Sequence, residues 1–244
     1  FPTRRSSDLS SGVMMDGLAA LRIQERGLGK LLGAKVEIIN KPVPYRERIS
    51  EDSLNGIFAG KLWNASSNNS GAYVLTPLSK AHRALGFYED RFEISHGLST
   101  ALIENKNGGR VAIFGYYGWD SAPSGSKRHQ YLAAADWISG NKLPVINKTI
   151  AQVMVVPRVN AKGQLVSVFL LNTSIDKTAP LEFILRSAVS SSVNWVTPDG
   201  KNKKIKLVKK GNDKICKIPS MPGWSVGFIS LEAFRTKTRS LKAE

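Results

Sequence analysis

Short stretches in which apolar and polar residues alternate follow one another through the second half of the chain, and they constrain its fold more than any other feature. They recur at intervals of roughly ten residues after Ile150, with turn-forming residues such as Pro198-Asp199-Gly200 between them. The stretches cover residues 152–158, 165–171, 181–185, 193–196, 204–208, 214–218 and 225–231. Short strands at this spacing predict a small antiparallel β-sandwich, which we assign to residues 149–232.

The first half of the chain has a different pattern, in which predicted helices alternate with predicted strands. Asp16 is suited to cap a helix that runs to Leu32, and Gly33 is suited to end it. Alternation at 35–39 then predicts a strand. Further predicted elements are loop with short pieces at 41–70, strands at 72–75, 98–105 and 110–116, a short helix at 81–87 and a helix at 126–139. This pattern predicts an α/β domain at residues 11–148.

The two ends of the chain are expected to lie outside both domains. Residues 1–9 read Phe-Pro-Thr-Arg-Arg-Ser-Ser-Asp-Leu and resemble a short-read sequencing adaptor, translated in one reading frame and joined to an assembled metagenomic contig. We therefore expect residues 1–10 to be a non-native or disordered leader and the chain to be a fragment of a longer protein. The alternative is a basic arm in which Arg4 and Arg5 contact phosphate. The polar, basic tail at 233–244 is expected to fray.

The chain is strongly basic, with a formal net charge of +16 from 35 Lys and Arg residues against 19 Asp and Glu residues. Such a charge favours attraction to polyanions. Many of the cations lie in one predicted hairpin of the sandwich, at Lys201, Lys203, Lys204, Lys206, Lys209, Lys210, Lys214 and Lys217. They alternate with aliphatic residues, as in a solvated edge strand, whereas nucleic-acid surfaces interleave cations with aromatic rings. Nucleic-acid binding is therefore a secondary hypothesis.

Several classes of chemistry lack a motif in this sequence. Its single cysteine, Cys216, excludes a disulfide within the chain and a cysteine-based zinc site. The sequence contains no nucleophile elbow, phosphate loop or zinc-binding helix. Its histidines, His82, His96 and His129, have no metal-binding spacing. We therefore predict no metal and no cofactor. No apolar run is long enough to span a membrane, and nothing indicates a compartment.

Paired carboxylates need separate consideration, because glycoside hydrolysis uses two carboxyl groups held roughly 5–10 Å apart. The adjacent pairs Glu51-Asp52 and Glu89-Asp90 lie in polar segments, where neighbouring side chains tend to diverge. We interpret them as solvated loop acids, and no catalytic residue is predicted.

An aromatic segment at 115–120 follows the predicted buried strand and precedes a helix, a position at which open α/β sheets bind ligands. Aromatic rings pack well against sugar rings. The candidate carbohydrate-binding residues are Tyr116, Tyr117, Trp119 and Asp120. The alternative is that Trp119 only packs against the next domain. The other tryptophans are weaker candidates, and Trp137, Trp195 and Trp224 are predicted to be packing residues.

Several segments together carry a resemblance to a known family, at 12–17, 26–29, 32–33, 104–105, 108–112, 115–116 and 219–226. They resemble the C-terminal accessory region of bacterial glycoside hydrolases related to the family 42 β-galactosidases. The segments before residue 117 are similar to its flavodoxin-like α/β domain, which resembles class I glutamine amidotransferases but has no catalytic cysteine. The last segment is similar to its small β-domain. The resemblance implies a truncated flavodoxin-like domain followed by a β-sandwich.

In those enzymes the catalytic glutamates lie in an N-terminal (β/α)8 barrel, so the resemblance implies a non-catalytic fragment whose parent is a glycoside hydrolase. Its expected roles are domain packing, oligomerisation or walling of a substrate site. The expected partners are the barrel of the same parent chain, carbohydrate and further copies of the chain, with no membrane. The alternatives are a stand-alone carbohydrate-binding module and, less favoured, a basic nucleic-acid-binding protein.

Overall fold

The chain forms two compact units, residues 1–141 and residues 142–244. The computed structural model describes residues 12–39, 46–63, 71–78, 80–105, 107–117, 124–186 and 188–231. Within these ranges the structure is mostly β. None of the described helices is long and apolar enough to cross a membrane.

The first unit contains one eight-stranded sheet and several helical segments. Its strands are β1 (Val13–Asp16), β2 (Ala34–Ile39), β3 (Arg46–Ile49), β4 (Leu62–Trp63), β5 (Ala72–Pro77), β6 (His82–Glu89), β7 (Ser95–Glu104) and β8 (Arg110–Phe114). Its helices are α1 (Gly17–Ile23), α2 (Gly29–Leu32) and α3 (Gly125–Ile138), with a π-helical segment at Gln24–Leu28 and a 3-10 helix at Ser53–Phe58.

Neighbouring strands of this sheet are mostly antiparallel. The strand order is β1-β8-β7-β6-β3-β4, and β5 pairs with both β2 and β7. Among the described pairs only β1 and β8 run parallel, with Val13 opposite Val111 and Asp16 opposite Phe114. A flavodoxin-like sheet is built from parallel strands. The flavodoxin-like prediction for residues 11–148 is therefore not supported, and a mixed, largely antiparallel sheet takes its place.

Two local features explain this difference. Asn105 forms a tight turn after β7, where its Oδ1 accepts hydrogen bonds from the N–H groups of Asn107 and Gly109, each at 2.9 Å. Such a short turn joins antiparallel strands, because parallel strands need a long crossover. The predicted helix at 81–87 is wrong, since this segment lies in β6 and pairs with β3 on one side and β7 on the other. Pairing on both edges overrides its local preference.

Alternation along β7 and β8 divides the core of this unit between the two faces of the sheet. Ala101 and Ile103 join the cluster that contains Ala20 of α1. Leu102 lies on the opposite face, in the cluster that contains Ala134 of α3. Each face of the sheet therefore packs against a helix.

The predicted start and end of the first helical region are confirmed. Asp16 caps α1, with its Oδ1 accepting from the N–H of Ala19 at 2.8 Å. Gly33 ends α2 in the left-handed conformation, at φ 67°. A side chain at Gly33 would also lie 2.7 Å from Ile103 Cγ2, so both the backbone angle and the space favour glycine.

The second unit consists of two antiparallel sheets around one core. Its strands are β9 (Val145–Asn147), β10 (Val153–Val159), β11 (Leu165–Asn172), β12 (Leu181–Leu185), β13 (Ser192–Val196), β14 (Asn202–Lys206), β15 (Val208–Lys210), β16 (Asp213–Ile218) and β17 (Val226–Ser230). One sheet has the order β10-β11-β17-β13-β14 and the other β15-β16-β12-β9. Phe183 of one sheet and Trp195 of the other lie in the same buried cluster. The predicted alternating segments therefore form strands that enclose a common core.

Candidate functional site

The carboxyl ends of β1 and β8 lie side by side, at the position where open α/β sheets bind ligands. At the end of β1, the Asp16 side chain already accepts the N–H of Ala19. After β8, the Gly115 N–H donates to the Ser99 carbonyl at 2.6 Å, and its carbonyl accepts from the Tyr73 N–H at 2.7 Å. A Cβ at Gly115 would lie only 2.1 Å from the Tyr73 carbonyl oxygen. The backbone of neighbouring strands therefore occupies the space beside Gly115 at this edge of the sheet.

The predicted carbohydrate-binding residues follow immediately along the chain. Tyr116 is buried, and its ring packs against Trp63 with 5.2 Å between the ring centroids. Tyr117 is 39% exposed. Trp119 and Asp120 lie outside the described residues. Of the two candidate tyrosines, only Tyr117 is exposed enough to contact a ligand. Carbohydrate binding at this segment stays a prediction.

A buried ionic cluster occupies the face of the sheet that packs against α3. The Lys127 ammonium pairs with the Glu47 carboxylate, and both side chains are 0% exposed. Glu47 Oε1 accepts from Ser99 Oγ at 2.5 Å and from Thr100 Oγ1 at 2.9 Å. Lys127 Nζ also donates to Gln130 Oε1 at 2.7 Å. The cluster thus joins β3, β7 and α3.

Aromatic rings cover the cation of this cluster. Lys127 Nζ lies 4.5 Å from the ring centroids of both Trp63 and Tyr116, within the range of cation–π attraction. Burial lowers the pKa of the Lys127 ammonium well below its usual value. Burial also raises the pKa of the Tyr116 hydroxyl well above its usual value. These groups have perturbed pKa values, as catalytic groups often do, but both residues are buried.

Gln130 extends the cluster to the 3-10 helix. Its Nε2 donates to Asn55 Oδ1 at 2.9 Å and to the Leu85 carbonyl at 3.0 Å. Asn55 in turn donates from Nδ2 to the carbonyl of Ser50 at 2.8 Å. Such a network rigidifies the fold when its members are satisfied. The arrangement therefore fixes α3 against the sheet.

Sequence reasoning missed this cluster. Lys127 and Gln130 occupy the positions of α3 that face the sheet, in register with the buried Ala134. The sequence feature that could have revealed the cluster is that polar residues occupy helix positions at which apolar, inward-facing residues are expected. Glu47 had no comparable signal, because it lies in a segment predicted as loop.

A second ionic group lies at the β6–β7 connection. Arg48 binds both carboxylate oxygens of Glu89, at 2.5 and 2.9 Å. Arg46 Nε lies 3.4 Å from Glu89 Oε2, and Arg46 Nη2 lies 3.2 Å from Glu93 Oε1. Asp90 turns to the other side and contacts His96 Nε2 at 3.0 Å. The hydrogen bond to His96 lowers the pKa of the Asp90 carboxyl below its usual value.

The Glu89 and Asp90 side chains diverge, but both residues are buried, so the interpretation of this pair as solvated loop acids is wrong. Glu89 contacts arginines whereas Asp90 contacts a histidine. Asp52 caps the 3-10 helix through Leu54 N–H and binds Arg83 at 2.6 Å. Within the described residues no group of three or more His, Cys, Asp and Glu side chains could hold a metal ion.

The tryptophans of the second unit differ sharply in exposure. Trp195 is 1% exposed and lies in the core, as predicted. Trp224 is 69% exposed, so the prediction that it is a packing residue is wrong. Its backbone is left-handed, at φ 46°, and its N–H donates to the Ser174 carbonyl at 2.9 Å. The turn before β17 holds this ring out of the core.

Comparison with known proteins identifies the fold but no family. No family model and no curated protein matches the sequence. The structure is similar to that of alpha-L-fucosidase isoenzyme 2 from Paenibacillus thiaminolyticus, with a TM-score of 0.59 and 14% sequence identity. The match covers 91% of this chain and 37% of the fucosidase. The chain therefore shares its fold with a part of a glycoside hydrolase.

Proposed function

We propose that this chain is a non-catalytic accessory region of a carbohydrate-active enzyme of the glycoside hydrolase type. The similarity spans nearly the whole chain but little more than a third of the fucosidase, which supports an origin in a longer enzyme. The resemblance to the accessory region of family 42 β-galactosidases points in the same direction. On this proposal the catalytic barrel lies elsewhere in the parent chain, and the region serves domain packing, oligomerisation or walling of a substrate site.

One observation carries the non-catalytic part of the proposal. Among the described residues of the first unit, the most buried acids are Glu47, Glu89 and Asp90, and each is held by a cation or histidine of the same unit. A glycosidase needs two carboxyl groups that face one substrate cleft, with one of them free to protonate a leaving group. Acids that are already bound in this way stabilise the fold instead.

A hydrolysis assay tests this proposal. The purified chain is incubated with nitrophenyl α-L-fucosides, β-galactosides and β-glucosides, and no turnover above the buffer rate is expected. Glu89→Gln and Asp90→Asn serve as matched variants, and the hydrolysis rate measured with each should also equal the buffer rate. Turnover that a single Glu or Asp substitution abolishes would show that the chain carries its own active site.

Exposure of Trp224 and Tyr117 supports a second candidate function, that of a carbohydrate-binding module. Exposed aromatic rings provide platforms for sugar rings. Calorimetric titration with soluble oligosaccharides tests it, using Trp224→Ala and Tyr117→Ala against Phe92→Ala as a control with a similarly exposed ring. Saturable binding that is lost in one of the first two variants, and kept in the control, would favour this candidate.

A further inference from the structure

Two edge strands of the second unit follow one another directly in the chain. β14 lies at one end of the five-stranded sheet, and β15 lies at one end of the four-stranded sheet. Only Leu207 separates them, and it is buried, with its N–H donating to the Ser191 carbonyl at 2.9 Å. The chain therefore passes from the edge of one sheet straight to the edge of the other.

This stretch carries a dense group of lysines. Five of the eight residues from 203 to 210 are lysines, and no acid lies among them. All five are exposed. In the structure they divide between two sheets instead of lying in one hairpin. We call this group the lysine border, and its members are Lys203, Lys204, Lys206, Lys209 and Lys210.

Within the described part of the chain, the lysine border makes no ion pair. Residues 142–231 contain only four Asp and Glu residues, and three of them are paired with other cations. These pairs are Asp199–Lys201 at 2.8 Å, Glu182–Lys217 at 3.1 Å and Asp213–Arg186 at 3.6 Å. The acids of the second unit therefore leave the charge of the lysine border uncompensated.

The positive charge of the described chain is concentrated in the second unit. Residues 12–141 contain 15 Lys and Arg residues against 12 Asp and Glu residues, whereas residues 142–231 contain 14 against 4. Charge on an edge strand prevents pairing with other chains, but this protection does not require that acids be absent. A concentrated field of one sign attracts ligands of the opposite sign. The lysine border is therefore suited to bind an anion.

The neighbours of the lysine border on β13 are polar and uncharged. Lys204 lies opposite Asn194. Lys206 lies opposite Ser192. Both β13 residues are partly exposed. Residues two apart on a strand lie on the same side, about 7 Å from each other. Two ammonium groups beside an amide and a hydroxyl suit a polymer that carries both anions and hydroxyl groups.

Two features disfavour nucleic acid as this polymer. Proteins that bind single strands stack the bases on aromatic side chains, and residues 201–217 include no aromatic residue. The major groove of a duplex admits a helix or a two-stranded ribbon. β14 and β15 belong to different sheets, so the lysine border does not form such a ribbon. An acidic glycan needs neither feature, because its anions and hydroxyl groups lie along the outside of the chain.

We propose that the lysine border binds a linear glycan that carries carboxylate or sulfate groups. The choice of a glycan rests on the proposed function, and the uncompensated charge of the lysine border specifies that the glycan is acidic. Lys204 and Lys206 contact successive anions of the polymer, and Lys209 continues the basic surface on β15. Asn194 and Ser192 are placed to hydrogen-bond its hydroxyl groups.

Fluorescence polarisation with the full chain tests this inference. The labelled probes are polygalacturonate, which carries carboxylates, dextran sulfate, and neutral dextran. A variant with Lys204→Gln, Lys206→Gln and Lys209→Gln should raise the Kd for the acidic probes by about tenfold and flatten its dependence on salt. Neutral dextran should not bind. Binding of only one acidic probe would support the inference and identify which anionic group is recognised.

A matched control variant removes the same charge from other places. Lys148, Lys162 and Lys177 are exposed and lie outside β14 and β15. Their replacement by glutamine should leave the Kd within about twofold of the original value. Thermal unfolding should be unchanged in both variants, because all six lysines are exposed. Equal weakening in the two variants would overturn the inference, since net charge alone would then explain binding.

The remaining outcomes separate this inference from the proposed function. A DNA duplex that binds more tightly than both acidic glycans at the same salt concentration would overturn the inference in favour of nucleic acid. If no acidic probe binds while the longer enzyme hydrolyses glycosides, the inference is wrong and the proposed function stands. If the lysine border binds an acidic glycan but the longer reading frame encodes no glycosidase, the binding surface stands and the proposed function fails.

Discussion

Lys127 and Glu47 form an ion pair in which neither side chain is exposed to solvent, although they lie on different elements of the first unit. Water cannot solvate either charge, so each depends on the other and on the hydrogen bonds around it. The pair therefore sets the position of α3 on the sheet, and its replacement should affect stability more than any surface ion pair.

Removal of one partner should be strongly destabilising. Lys127→Met leaves the Glu47 carboxylate buried without a counter-ion, and we expect the free energy of unfolding to fall by about 3–5 kcal/mol. Urea denaturation followed by far-ultraviolet circular dichroism measures the change. The double variant with Glu47→Gln should lose less than the single variant, because no net charge then stays buried. Equal losses would show that packing, and not charge, holds the helix.

The tryptophans of the second unit should respond in opposite ways. Trp195→Ala removes a ring from the closed core and should cost about 3–5 kcal/mol of unfolding free energy. Trp224→Ala removes an exposed ring and should change it by no more than about 0.5 kcal/mol. Thermal unfolding of the two variants provides the comparison. A large loss for Trp224→Ala would contradict its placement outside the core.

Cys216 should be inert in the folded protein. Burial raises the pKa of its thiol to about 12, from an ordinary value of 9.0, so almost no thiolate forms at pH 8. We expect a thiol reagent to modify it only as fast as the second unit opens. Lys162→Cys, in an exposed turn, is the control and should react at once. Rapid labelling of Cys216 in the native protein would contradict its burial.

The same thiol makes a contribution to stability that depends on pH. Its pKa is higher in the folded than in the unfolded state, so the contribution is fully present below pH 9 and is lost as the pH rises toward 12. Unfolding in urea between pH 8 and pH 10.5 should therefore show a decline that is smaller in Cys216→Ala. Identical declines in both proteins would assign the effect to other groups.

The sequence predicted the second unit better than the first. In β11 and β12 the sequence pattern reflects the burial of one strand face in the core. This pattern can be recognised without knowing which strands pair with them. In the first unit, β6 has no such pattern, because its neighbours on both edges decide its conformation. The ionic cluster was hidden for a similar reason: Lys127 and Glu47 are far apart in sequence, and only the sheet brings them together. Trp224 was misassigned because its left-handed backbone angle has no signal in the sequence.

The most direct test of the central claim is to sequence the source DNA upstream of Ser10. The account predicts an uninterrupted reading frame with alternating strand and helix patterns typical of a (β/α)8 barrel, and glycosidase activity in the longer product. An in-frame stop codon immediately upstream, together with a folded and monomeric product from the shorter frame, would contradict the claim that this chain is the accessory region of a longer hydrolase.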